Sequence, residues 1–218
     1  MIEDNKIWLI RIRNYAGLLG GLLPFLSIIS AFVYSISHGG LPSEFWKELS
    51  ISATYYVSPA LAGVLTTAAV ILMCYKGYDK WDNLITTLSG VFGIMIVLFP
   101  CKCILSEVKV GFFQLPINVS NIIHCTCAII FFILLSLNSL FMFTKHDGEM
   151  TDQKKKRNIV YKVCGIGMFS AEVLLVLPVE FPAKVWWIEA IALLFFAISW
   201  LTKGEAFPFL NDKTKDDE

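Results

Sequence analysis

The sequence predicts an all-α membrane protein, a bundle of six transmembrane helices with both termini in the cytoplasm. Three observations predict it. Apolar residues fall into six long blocks, those blocks lack a polar stripe, and Lys and Arg crowd into alternate connections. Of the 218 residues, 56% are hydrophobic and 17% charged, against roughly 45–50% and about 25% in soluble domains. A soluble amphipathic helix shows a polar face, whereas a span in hydrocarbon needs about 20 predominantly apolar residues. The connections between blocks are too short for a separate soluble domain, so the whole chain reads as one transmembrane domain.

The first span, 15–36, follows Lys6, Arg11 and Arg13. Ser35-Ile36-Ser37 loosely resembles a signal-peptide cleavage site, but the apolar run exceeds the usual 7–15 residues of such a peptide, which favours a retained helix. The second span is 57–75, behind the polar and aromatic Ser50 to Tyr56. The third, 84–100, ends on Pro100, a common punctuation beyond a helix. The fourth is 122–143. The fifth, 159–177, is closed by Pro178 and Pro182. The sixth, 185–201, carries Trp186, Trp187 and Trp200 near its two ends, where aromatic belts sit.

Orientation follows from the basic residues. One side holds thirteen: Lys6, Arg11, Arg13, Lys76, Lys80, Lys145, Lys154, Lys155, Lys156, Arg157, Lys203, Lys213 and Lys215. The other holds Lys47, Lys102, Lys109 and Lys184, and Lys162 lies one turn inside the fifth span. Cytoplasmic connections carry the excess of Lys and Arg, so both termini are assigned to the cytoplasm of a plasma (inner) membrane. Lys plus Arg equals Asp plus Glu, 18 each, and no net basicity points to nucleic acid. The tail 211–218 is polar and expected to fray.

This topology gathers the unusual polar residues at the outer end: Ser50, Ser52, Tyr55, Tyr56, His124, Glu172, Trp186 and Glu189. A charge at bilayer depth costs roughly 2.5–3.5 kcal/mol on insertion scales, so it faces a partner or a water-filled cavity. One reading is an outward-opening polar pocket for a lipid headgroup or small hydrophobic ligand. The other is interhelical hydrogen bonding that fixes the packing, in which case leucine would be tolerated at position 189. Helical spacing puts Gly165, Met168, Phe169 and Val176 on the Glu172 face, and Val185, Trp186, Leu193 and Phe196 on the Glu189 face. Catalysis by His124 with Glu172 or Glu189, as an intramembrane hydrolase, is a third reading. An oligomeric pore or membrane-disrupting effector is a further alternative, although no helix carries a polar stripe along its length.

Cys101, Cys103, Cys125 and Cys127 share the outer end with His124. Free thiols, a disulfide between the two C-x-C pairs, and a metal site all fit; the C-x-C spacing is not that of a zinc knuckle. Nothing in the sequence calls for a cofactor. The turn Gly77 to Asn83 reads as solvated, with Asp82 or Asn83 capping the third span. Lys154 to Arg157 suits anionic headgroups or a topology anchor. Gly17 and Gly21 allow close helix approach, within the bundle or in a homo-oligomer. Asn118-Val119-Ser120 is a glycosylation sequon. Motifs of metalloproteases, serine hydrolases and nucleotide-binding loops are missing from the sequence.

Leu49-Ser50-Ile51-Ser52, His124 and Glu189 beside tryptophans resemble the six-span family of damage-regulated autophagy modulators and their relatives in lipid-anchor remodelling. Here Trp186 and Trp187 precede the glutamate, where that family has Glu before Trp. The six-span plan is equally similar to that of small uncharacterised prokaryotic membrane proteins. The resemblance implies lipid-linked or regulatory work with membrane lipids as partners, and not a defined reaction. In a topology test by cysteine labelling, residues introduced at Ser43 and Val108 should react from outside, and those at Asp82 and Glu149 from inside. An inward Val108 would overturn the six-span assignment.

Overall fold

The computed structural model describes residues 2–146, 148 and 150–212; Glu149, Lys213, Lys215 and the rest of the tail lie outside the described residues. Seven α-helices make up most of it: α1 Ile2–Ser37, α2 Ser43–Lys47, α3 Ala60–Cys74, α4 Lys80–Leu98, α5 Ile117–Leu137, α6 Asp152–Val176 and α7 Lys184–Lys203. Five stretches are long and apolar enough to cross a membrane: Lys6–Ser37, Lys80–Leu98, Ile117–Met142, Asp152–Val176 and Lys184–Lys203. The block read as 57–75 is shorter. It becomes the 15-residue α3, preceded by a 3₁₀ turn at Ser52–Tyr56. The all-helical expectation has one small exception, a two-residue hairpin in which β1, Lys109–Val110, pairs antiparallel with β2, Leu115–Pro116.

Local chemistry sets the boundaries. Gly39 sits at φ 76° just past α1, and the Gly40 N–H reaches back to the Ser35 carbonyl (2.7 Å), closing the helix in the manner glycine allows. Within α1, Pro24 removes one backbone donor. Asp79 caps α4, its carboxylate accepting from the N–H groups of Trp81 (2.9 Å) and Asp82 (3.0 Å). The cap is therefore neither Asp82 nor Asn83. Those side chains turn back instead to accept the N–H groups of Tyr78 and Gly77, at 2.8 Å each. Lys145 bridges both aspartates, at 2.8 Å from Asp79 and 2.5 Å from Asp82. The Lys145 hydrogen bond, then those from the helix amides, lower the Asp79 carboxyl to about 2. Thr151 caps α6 through the Lys154 N–H (3.0 Å). The far end of α5 widens into a π turn at Asn138–Met142, where Ser139 donates to the Tyr161 carbonyl (2.8 Å).

The long helices form a closed ring in chain order. Each packs on its successor from α3 to α7, α1 packs on α3, and α7 returns to α1. Glycines make three of these seams close. A Cβ at Gly17 would stand 2.8 Å from Leu201, and one at Gly21 would stand 3.1 Å from Ala197, so this pair serves the α1–α7 seam within one chain. A Cβ at Gly165 would meet Leu140, and one at Gly90 would meet the Ala69 carbonyl oxygen. The interior is filled by Leu72, Leu135, Tyr161, Met168 and Trp200, all nearly inaccessible. Trp200 thus belongs to the core, edge-on to Tyr75 and Phe143 and tilted against Phe196, whereas Trp187 is exposed as a belt residue would be. Of the α6 face read from spacing, Gly165 and Met168 are buried, while Phe169 and Val176 lie at its edge and are exposed. On α7, Leu193 and Phe196 are buried and Val185 is exposed. The outward surface is apolar, with Phe25, Ile29, Phe32, Ile159 and Ile166 all exposed. Water does not tolerate a patch this continuous.

Gly90 and Gly63 provide a matched pair on the same two-helix layer. Gly90→Ala forces α4 off the Ala69 carbonyl and should cost about 1–3 kcal/mol, the range for overpacking. Gly63→Ala meets nothing within 4 Å and should leave the thermal unfolding midpoint unchanged or raised.

Candidate functional site

The polar residues singled out in the sequence all lie at the end of the ring where α4 and α6 finish and α5 and α7 begin. The first turn of α7 has unpaired N–H groups, and a loop satisfies two of them. The Ala183 N–H donates to the Lys47 carbonyl (2.8 Å) and the Trp186 N–H to the Leu49 carbonyl (3.1 Å). Ala183 itself is held at φ 55°, an unusual conformation for a residue with a Cβ. One turn further along α7, Glu189 returns the bond. Its carboxylate accepts the Ile51 N–H (2.6 Å) and the Ser52 hydroxyl (3.4 Å). Ser50 accepts the Ala53 N–H (2.9 Å) and starts the 3₁₀ turn. Trp186 donates its indole N–H to Ser27 on α1 (3.0 Å). Loop 47–52 is thereby sewn to α7 along its length.

The second group caps the end of α4. His124 Nδ1 lies 3.1 Å from the Ile96 carbonyl oxygen and 2.8 Å from that of Phe99. Carbonyls only accept, so Nδ1 carries the proton. Ser120 donates to the Pro100 carbonyl (2.8 Å) and Tyr56 to that of Cys101 (2.7 Å). Ser120 is buried in the first turn of α5, which places the sequon's third residue inside the fold. Burial, with Cys101 beside it, holds the Tyr56 phenol well above its ordinary range. Burial likewise holds the Cys101 thiol far above its usual value, and Cys103, Glu189 and Cys125 add to this. A thiol kept protonated is a poor nucleophile. All six cysteines are free.

The eight expected ligand residues do not converge on one pocket. Ser52 and Glu189 line a central cavity of about 30 Å³, walled by Leu23, Leu61, Leu65, Ile96 and Phe131. That volume holds about one water. Tyr55 and Tyr56 line a separate surface depression with Tyr34 and Gln114. Glu172 is partly buried and has no hydrogen-bond or ion-pair partner among the described residues. His124 bonds to neither glutamate. For Ser50, Tyr56, His124 and Glu189 the physical reason is shared: in a low-dielectric interior these side chains are drawn to backbone groups left unpaired at turns and helix ends.

The larger space lies elsewhere. Between α1 and α3 runs a groove of about 840 Å³, with Leu26, Ile29, Val33 and Val64 along its walls and Gly63 and Thr67 in its floor. Four polar residues gather at one end, Tyr34, Ser37, His38 and Ser58, while Ser30 and Thr67 further along donate to carbonyls of their own helices; the rings of Tyr34 and His38 stack with centroids 4.0 Å apart. Sequence reasoning missed this groove. Its one available signal is Gly63, a small residue with no neighbour to accommodate.

Glu189→Leu strands the Ile51 N–H and should cost about 1–3 kcal/mol, the penalty for an unpaired buried donor. This reverses the tolerance expected of a pure packing residue. Glu189→Gln keeps an acceptor oxygen and should lower the unfolding midpoint less. Comparison with known proteins adds no relative: no family model, curated protein or solved structure matches this chain.

Proposed function

We propose that the chain is a six-crossing, non-enzymatic membrane protein, both termini cytoplasmic, that holds one acyl chain of a membrane lipid in the α1–α3 groove. The observation that carries this reading is the groove's polarity. Its walls are apolar over most of their length, the hydroxyls of Ser30 and Thr67 are spent on carbonyls of their own helices, and the remaining polar groups sit at one end, matching an amphiphile with a headgroup at that end. Its volume falls within the roughly 300–1,000 Å³ of small-molecule sites. α3 serves as the sixth crossing, with the buried turn Ser52–Tyr56 packed against it at the outer end. The thirteen-to-four division of basic residues supports the orientation, in a plasma (inner) membrane.

The alternatives have less support. A hydrolase built on His124 lacks a carboxylate partner for that ring. A pore through the ring meets a packed interior whose central cavity has room for about one water. The Gly17–Gly21 pair is used within the chain, so it does not argue for a homo-oligomer. The resemblance to damage-regulated autophagy modulators agrees with lipid-linked work, since its residues Leu49 to Ser52 and Glu189 form one hydrogen-bonded unit.

Gly63→Phe fills the groove from a position that faces open space. After purification and delipidation, native mass spectrometry should find lipid bound to the wild-type chain and several-fold less on the variant, both monodisperse. Equal lipid retention would reject the groove as the site.

A further inference from the structure

We infer a second binding site, for a phosphate-bearing anion, at the opposite, basic end of the ring. It rests on observations separate from the groove. Where α1, α6 and α7 meet, a cavity of about 330 Å³ is lined by Arg13, Lys154, Arg157 and Lys203, with His146 at the mouth. Two carboxylates also line it, Glu205 and Asp212, and both are exposed.

The partners of these cations decide the matter. Arg157 is matched: it pairs with Asp212 (2.7 Å) and donates to the Leu210 carbonyl (2.7 Å). Lys154, 9% exposed, has only the Phe143 carbonyl (2.9 Å) and the face of Tyr161. Arg13 has long bonds to the Lys203 carbonyl (3.3 Å) and the Tyr75 hydroxyl (3.4 Å), and its Nε has no partner. Lys203 is 7% exposed. Among the described residues its ammonium has no hydrogen bond and no ion pair; it lies over the rings of Tyr78 (4.7 Å), Phe143 (5.4 Å) and Tyr161 (6.0 Å). The nearest buried carboxylate, Asp82, is already committed to Lys145 and to the Tyr78 N–H. Three cations therefore share one cavity without a carboxylate of their own.

A buried charge without a partner is costly, and like charges in one cavity add to the cost. An anion supplied from outside removes both penalties. The combination of a planar guanidinium fork with ammonium point charges and a Thr202 floor suits the tetrahedral oxygens of a phosphate better than a flat carboxylate. The mouth is polar and the rings of Tyr78 and Tyr161 shield the floor from water, which strengthens the attraction. Two sources offer this chemistry: the headgroup of an anionic lipid in the adjacent leaflet, and a soluble phosphate compound.

The test uses the full chain in nanodiscs. Inorganic pyrophosphate is titrated into discs of phosphatidylcholine alone, and phosphatidic acid is added to the discs in a parallel series; thermal unfolding and binding are read in both. The site requires that at least one probe raise the unfolding midpoint, with an effect that shrinks as salt is added. Stabilisation by pyrophosphate in neutral discs identifies a soluble ligand; stabilisation by phosphatidic acid alone identifies a headgroup. Lys203→Met should weaken binding at least tenfold and leave the anion-free midpoint unchanged or raised, because an uncompensated buried charge is gone. Lys156→Met, exposed and off the cavity, should change affinity less than twofold. Arg13→Gln serves as a second variant and should also weaken binding at least tenfold. Absence of stabilisation by either probe overturns the site. So does equal weakening by Lys156→Met, which would mark diffuse surface attraction. Gly63→Phe should leave this binding intact, so failure of the groove and failure of this site are separately visible.

Discussion

Hydrocarbon offers no hydrogen bonds to a backbone, and that constraint organises this molecule more than any single contact. Helices satisfy their own interiors, and the unpaired groups accumulate at their ends. Here the ends are closed from within the chain. Loop 47–52 lends carbonyls to the first turn of α7 and receives the Glu189 carboxylate in return. His124, Ser120 and Tyr56 take up the carbonyls released where α4 stops at Leu98, ahead of Pro100. The same logic governs the other end, where Asp79 caps α4 and Lys145 ties that cap to the end of α5. Remove the bilayer and these residues look like a catalytic assortment; restore it and most are occupied with helix ends.

The helical architecture was legible because its signal is long and redundant. Each apolar block repeats the same message over many residues, and the structure's helices overlap all six. Length was harder to read. The block at 57–75 contains Pro59, which cannot continue a helix from upstream, so Val57 to Pro59 lie outside any helix, between the 3₁₀ turn Ser52–Tyr56 and α3, which begins at Ala60. The cap of α4 was misplaced by three residues, since Asp79, Asp82 and Asn83 are all chemically competent and only the backbone path chooses among them. Trp200 was read from its position near a helix end, but its ring faces inward, and rotational phase decides that rather than depth.

The candidate sites were less legible for a related reason. Polar residue type identifies what is unusual in a membrane span, and depth identifies which end it shares. Neither says whether a carboxylate meets a backbone amide or a ligand. Glu189 met Ile51 across more than a hundred residues of sequence. Conversely, Gly63 and Thr67 border the α1–α3 groove while carrying no unusual chemistry. At the basic end, Arg13 and Lys203 read as topology anchors and Lys154 as an anchor or a headgroup contact; their convergence in one cavity emerges only when α7 closes the ring against α1.

That closure leaves α3 as the short member of a ring of longer helices. Fifteen residues at 1.5 Å each extend about 22 Å, roughly 8 Å less than a typical hydrocarbon thickness. Around such a helix a bilayer thins or lipids tilt, at fractions of a kcal/mol per ångström. The deformation is local to one side of the molecule, and that side is the wall of the α1–α3 groove. On the six-crossing reading proposed above, a lipid there would meet a depressed headgroup plane near Ser58 and a shortened path for its chain. In thin bilayers the deformation relaxes, and in thick, sterol-rich ones it deepens. On the same reading, hydrophobic mismatch along this one flank would give the protein a preference among membranes that no individual side chain encodes.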